Sequence, residues 1–162
     1  MIAPPSDLPL ADLLGEWHIV ATTLPFWRGK RRPVVTYAPR PHAPHTWRDT
    51  LAWEQTDLFG RPVTRRLGGV DTGDPAVPGR FVWRGDGVLG LLASEWCFVA
   101  VDPAGAWAVT WFARATFGVT PEGMDVYARD PDLDPAVVDD VIAGLQARPA
   151  FARLGGWFRP ER

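Results

Sequence analysis

The chain is 162 residues long, with a formal net charge of −2, a sequence pI near 5.9 and a single cysteine, Cys97. That length suits one domain with a core or a walled cavity, and one cysteine excludes an intramolecular disulfide. The charge gives no basic footprint for nucleic acid or an anionic membrane, so neither is expected as a partner.

Residues 1–12 read as an arm, because Pro4, Pro5 and Pro9 discourage regular structure. They show no positive n-region and no apolar run of signal length, and no later stretch approaches the ~20 apolar residues of a membrane helix. A cytoplasmic address is the expectation. One domain over 13–160 follows.

Its first strand runs from Gly15 to Leu24, and a wide loop over 25–33 carries the basic cluster Arg28, Lys30, Arg31 and Arg32, read as solvated. A second strand covers Val34 to Tyr37, and Pro39, Pro41 and Pro44 then break the chain. Thr46–Thr56 and Val63–Val70 form a hairpin around Asp57-Leu58-Phe59-Gly60-Arg61-Pro62. Phe81–Arg84 is a short strand, and the 88–93 run is ambiguous. Trp96–Val101 and Trp107–Ala113 flank the turn Asp102-Pro103-Ala104-Gly105, and Met124–Arg129 is the last strand. A helix follows over about 134–147: Asp134 caps it, Pro135 fits its first turn, and Val137, Val138, Val141, Ile142 and Leu145 recur at helical spacing. Gly155–Phe158 is expected to return as a short edge strand.

Gly15-Glu16-Trp17 near the start, Tyr127-Ala128-Arg129-Asp130-Pro131 at the end of the last strand, and the helix after it form an ordered set. In this set the chain resembles the lipocalins. The resemblance implies an all-β fold: a single eight-stranded antiparallel up-and-down barrel with one C-terminal α-helix packed on its outside. It also implies that Gly15, Trp17 and Arg129 close the barrel, the indole as its floor and the guanidinium across the indole. The family's turn between late strands is partly met by Asp102 and Trp107, which leaves the register of strands six and seven open.

Strands alternate, so one inward residue fixes its neighbours. With Trp17 inward, Ile19, Ala21 and Thr23 are expected inside and His18 outside. Arg129 inward takes Tyr127 and Asp125 with it. Trp47, Leu51 and Trp53 share a face with Asp49, Phe81 and Trp83 form a second stripe, and Trp107, Val109 and Trp111 a third. The expected ligand wall is Trp47, Leu51, Trp53, Trp83, Trp96, Trp107 and Trp111, with Phe26 and Trp27 from the mouth loop.

Asp49 and Asp125 on such faces are costly unless paired or protonated. Either Asp49 bridges Arg65 or Arg66 on the neighbouring strand, or an apolar pocket raises its pKa and makes it a proton donor or acceptor. Tyr127 is placed to polarise a ligand carbonyl, and Glu95 stands as a possible third acid at the rim. His42 and His45 lie in a Pro-rich loop without partners, so no metal site is expected, and no cofactor motif is present. Cys97 reads as a small buried residue.

Two functions follow. The first is intracellular binding of a small hydrophobic molecule, aromatic or polyketide-like, in the barrel cavity. The alternative is a cofactor-independent cyclase or isomerase acting on a natural-product biosynthetic intermediate in the same cavity, with Asp49, Asp125 and Tyr127 as its catalytic groups. Ligand identity and oligomeric state stay open.

Overall fold

Eight antiparallel strands join edge to edge in sequence order, and the last returns to the first. They are β1 (Gly15–Thr22), β2 (Arg31–Pro39), β3 (Thr46–Thr56), β4 (Pro62–Gly73), β5 (Arg80–Gly85), β6 (Ala93–Val101), β7 (Trp107–Phe112) and β8 (Gly123–Ala128). One α-helix, α1 (Pro135–Gln146), follows. This computed structural model describes residues 2–162. Closure leaves no unpaired sheet edge, which is the physical gain of a barrel over an open sheet.

The two ends differ. At one end the N-terminal arm crosses the barrel and Trp17 lies inside it, fully buried, its indole N–H donating to Leu13 O at 2.8 Å. The Arg129 guanidinium sits 3.5 Å from the centre of that indole and donates to three carbonyls, Glu16 O at 2.6 Å, Asp12 O at 2.6 Å and Leu14 O at 2.7 Å. Gly15 is required here: its φ is +93°, and a Cβ would stand 3.3 Å from the Arg129 guanidinium. The other end is open, ringed by the connections 23–30, 57–61, 86–92 and 113–122.

Two apolar clusters result. One fills the barrel, built on Trp17, Tyr37, Trp47, Phe81, Trp96, Phe98 and Tyr127. The other lies between the wall and α1, where Val138 and Leu145 pack on Val20, Val99, Val109 and Val126. Asp134 caps α1 by accepting from Ala136 N at 2.9 Å.

The structure shifts several expected bounds. β1 ends at Thr22 rather than Leu24, β2 begins at Arg31 rather than Val34, and β4 runs on to Gly73 rather than stopping at Val70. The ambiguous 88–93 run is a 3-10 turn over Gly87–Leu91, and β6 starts at Ala93. The expected edge strand at 155–158 is a single bridge between Thr22 and Phe158.

A bulge at Val20 changes more. Ile19 pairs with Tyr127 but Ala21 pairs with Val126, so one extra residue flips the faces beyond it. Ala21, expected inside, packs in the outer cluster, and Thr22 turns inward in its place. Thr23, also expected inside, spends its hydroxyl on Met124 N at 2.8 Å.

Candidate functional site

Inside the barrel the side chains sort by height. Above the Trp17 floor lies a packed aromatic layer. Trp96 stacks on Phe81 (ring centres 4.7 Å apart) and on Tyr37 (5.4 Å), and Trp47 meets Phe81 at 4.5 Å. These separations are van der Waals contact, so Trp47 and Trp96, expected on the ligand wall, are packing in this layer.

Higher up, toward the open end, the inward side chains are only half-buried: Leu51, Trp53, Trp83 and Phe112, with Leu67 opposite Leu51 in register. Trp83 lies across Gly69, where any Cβ would overlap its indole. Phe26 and Trp27 fold in from the mouth loop and meet Trp53 edge-on, with ring centres 5.5 and 6.3 Å apart. Lys30 stands over this trio, 4.1 Å from the Phe26 ring, and its ammonium donates to Phe26 O. Partial burial lowers the pKa of Lys30.

Trp107 and Trp111, also expected on the ligand wall, are outside. β7 presents Ala108, Thr110 and Phe112 inward, and its Trp107–Val109–Trp111 face belongs to the cluster under α1. Trp107 lines a groove with Val141 and Leu145, and Trp111 donates to Glu122 at 2.8 Å. The stripe was real, but an unbroken register against β8 sets its face, pairing Trp107 and Trp111 with the outward Ala128 and Met124. Glu95 likewise faces out, alternating with inward Trp96, and bridges Arg80 at 2.9 Å.

Three carboxyl groups are buried in this aromatic interior: Asp49, Asp71 and Asp125. Asp125 accepts from the Thr22 hydroxyl at 2.5 Å and from the Trp27 indole at 3.3 Å. Burial raises its pKa to about 7, against the pull of those two bonds. Asp71 accepts from the Trp96 indole at 2.7 Å, and burial takes it to about 7 as well. Asp49 is pushed well above the carboxylate range by burial first and the neighbouring Asp71 second, with Arg48 a smaller opposing influence. One oxygen of Asp49 (Oδ1) and one of Asp71 (Oδ2) have no hydrogen-bond partner among the described residues.

The expected alternative of a salt bridge from Asp49 to Arg65 or Arg66 is not what forms. Asp49 is opposite Gly69 in register, while Arg65 and Arg66 are opposite Trp53 and Ala52, and both are exposed. Arg48 points outward and binds Asp86 through two bonds, one of 2.7 Å. Tyr127 stands 3.2 Å from the Tyr37 hydroxyl, and burial pushes both phenols up, so each stays protonated.

Asp71, Tyr37 and Thr22 were not picked out from the sequence. Asp71 was within reach: continuing the hairpin register back from the Thr56–Pro62 pair places it opposite Trp47. Thr22 was not, because a bulge leaves no mark in hydrophobic alternation.

No protein-family model matches the sequence, and no curated protein matches it. Solved structures do. Insecticyanin from the tobacco hornworm Manduca sexta superposes with a TM-score of 0.66 at 12% identity, covering 100% of this chain and 85% of that one. Lobster apocrustacyanin A1 gives 0.63 at 11% identity, covering 95% and 79%. The siderocalin Ex-FABP, described as functioning through dual ligand specificities, gives 0.58 at 13% identity, covering 93% and 91%. The fold is that of the lipocalins. At these identities the likeness extends to the lipocalin architecture.

Proposed function

We propose that this lipocalin-type barrel binds a small hydrophobic, largely aromatic molecule through its open half. The observation that carries the reading is the contrast along the axis. Below, rings pack on rings; above, Leu51, Trp53, Leu67, Trp83 and Phe112 stay half-exposed around the mouth. Apolar side chains that the chain itself leaves uncovered in a concave setting are what a ligand site consists of. That the siderocalin is described by its ligand specificities supports a binding role for this shape. Rigid indole walls favour a flat guest over a flexible chain, since stacking on Trp53 and Trp83 requires a planar face.

The test is mass spectrometry of the purified protein after incubation with an extract of the cells that make it, beside a Leu51→Trp variant that fills the upper cup. One compound retained by the native barrel, and held at least tenfold more weakly by Leu51→Trp, is expected. Equal retention by both proteins, or none by either, would sink the reading.

A second reading rests on the unpartnered carboxyl oxygens of Asp49 and Asp71. A carboxylic acid kept neutral in a dry aromatic site can donate a proton to a bound intermediate, and a neighbour ionising near pH 7 can take one. This is the cofactor-free cyclase or isomerase. It requires the bound compound to return at unchanged mass with a new retention time, and Asp49→Asn to abolish that change while affinity stays within a few-fold.

A further inference from the structure

Apolar surface and charge are both distributed unevenly along the barrel axis. Apart from Val82 on β5, the large apolar side chains that stand in solvent among the described residues all lie on three connections of the open end. Leu58 (100% exposed) and Phe59 (81%) tip the β3–β4 turn, Val88 (89%) and Leu91 (78%) the β5–β6 connection, and Phe117 (82%) and Val119 (59%) the β7–β8 connection. Single exposed apolar residues need no explanation, but such residues on three loops ringing one opening do.

Charge follows the same axis. Four acids near the mouth are already committed, Glu54 to Arg32, Asp57 to Arg61, Asp86 to Arg48 and Glu122 to Arg153, while Glu161, bridged through its backbone to Arg31, is in no salt bridge among the described residues. Arg31, Arg65, Arg66, Arg84 and Arg114, on the open-end halves of their strands or in its loops, take part in no salt bridge among the described residues. At the closed end the connections carry Asp74, Asp102, Asp130, Asp132 and Asp134 against Arg40 and Arg129. The net charge of −2 thus conceals a basic mouth and an acidic base. The expectation of no membrane partner was drawn from that sum, which hides the asymmetry.

We propose that the open end docks on an anionic lipid surface, its three apolar loop tips entering the acyl-chain boundary and its unpaired arginines lying at headgroup level. Apolar side chains flanked by uncommitted cations are the composition that interfacial binding uses. The acidic base points away, so the charge distribution also sets the orientation. A second copy fits less well: apposing two mouths about a two-fold axis would bring the arginines of one against those of the other. Nucleic acid offers nothing to the aliphatic tips Leu58, Val88, Leu91 and Val119. Docking in this sense places the mouth where a hydrophobic guest could pass without crossing water, but it does not depend on the guest.

The experiment is co-sedimentation of the full chain with phosphatidylcholine vesicles, with and without phosphatidylglycerol, at low and high salt. Partition onto the phosphatidylglycerol vesicles, weakened by salt, is expected. Arg65→Gln and Arg66→Gln should each weaken it about fivefold, and Leu58→Ser combined with Phe59→Ser about tenfold or more. These side chains stand in solvent, so the variants should keep the native near-ultraviolet circular dichroism. No partition, or partition indifferent to these changes, overturns the proposal. So does a dimer without vesicles that Leu58→Ser and Phe59→Ser dissolve, since it assigns the rim to a second copy.

Discussion

Arg129 does three things with one planar group: it covers the Trp17 indole, satisfies three carbonyls of the arm and first strand, and ties the last strand to the first. A point charge cannot fork in this way. Arg129→Met should cost about 2–3 kcal/mol of stability in urea unfolding, and Arg129→Lys should recover less than half of that loss. Asp71 and Asp125 make the opposite kind of contribution. Both keep their protons to about pH 7 in the folded chain, whereas an unfolded aspartate releases its proton near ~3.9. Between those values the native state binds more protons than the unfolded one, so stability falls as pH rises. What they contribute is present in full below about pH 4 and is lost by the time pH has passed 7. The urea midpoint should therefore drop between about pH 4 and about pH 7, and Asp125→Asn should flatten that drop. An unchanged slope in the variant would show that Asp125 is not the group titrating.

At the scale of elements, a bulge on β1 and the register of β7 against β8 decide what each face means. On β1 the extra residue at Val20 turns Thr22 toward Asp125 and gives Ala21 to the helix side. β7 is regular, and its pairing of Trp107 with Ala128 and Trp111 with Met124 puts both tryptophans in the cluster under α1. The chain thus has two tryptophan populations with different jobs. Trp111→Ala should destabilise the protein by about 2 kcal/mol, through lost packing and the lost bond to Glu122, and leave small-molecule uptake unchanged. Leu51→Trp should do the reverse. Thermal unfolding and ligand retention measured on both variants separate the two roles, and a loss of uptake in Trp111→Ala would contradict the placement of β7.

For the molecule as a whole, closure is the organising fact. A sheet closed on itself has two ends in place of two edges, and here the ends are unlike. One is sealed by the arm, Trp17 and Arg129 and bears aspartates; the other is open, apolar-tipped and basic. The interior follows the same gradient, from packed rings near the floor to half-exposed indoles at the mouth. Polarity of this kind is a property of the assembled barrel, because each end collects loops far apart in the chain.

The sequence by itself determined the helix, and through its likeness to the lipocalins it pointed to the barrel and its floor. Gly15, Trp17 and Arg129 carry specific local and pairwise chemistry, and Asp134-Pro135 with the valines after it specify a capped amphipathic helix wherever it docks. It also exposed Asp49 and Asp125 as carboxyls on apolar faces, since alternation reaches that far when a strand is regular. Only the tertiary structure decided which carboxyls and rings meet. A one-residue bulge inverts a face without altering composition, so Thr22 could not be placed from alternation, and Trp107 and Trp111 waited on the register of β7 against β8. The partner of Asp49 was likewise a matter of register: Gly69, with no side chain to offer, stands where a basic residue would have neutralised it. The polar ends of the barrel have the same origin, because a net charge adds residues along the chain, while the fold sorts them in space.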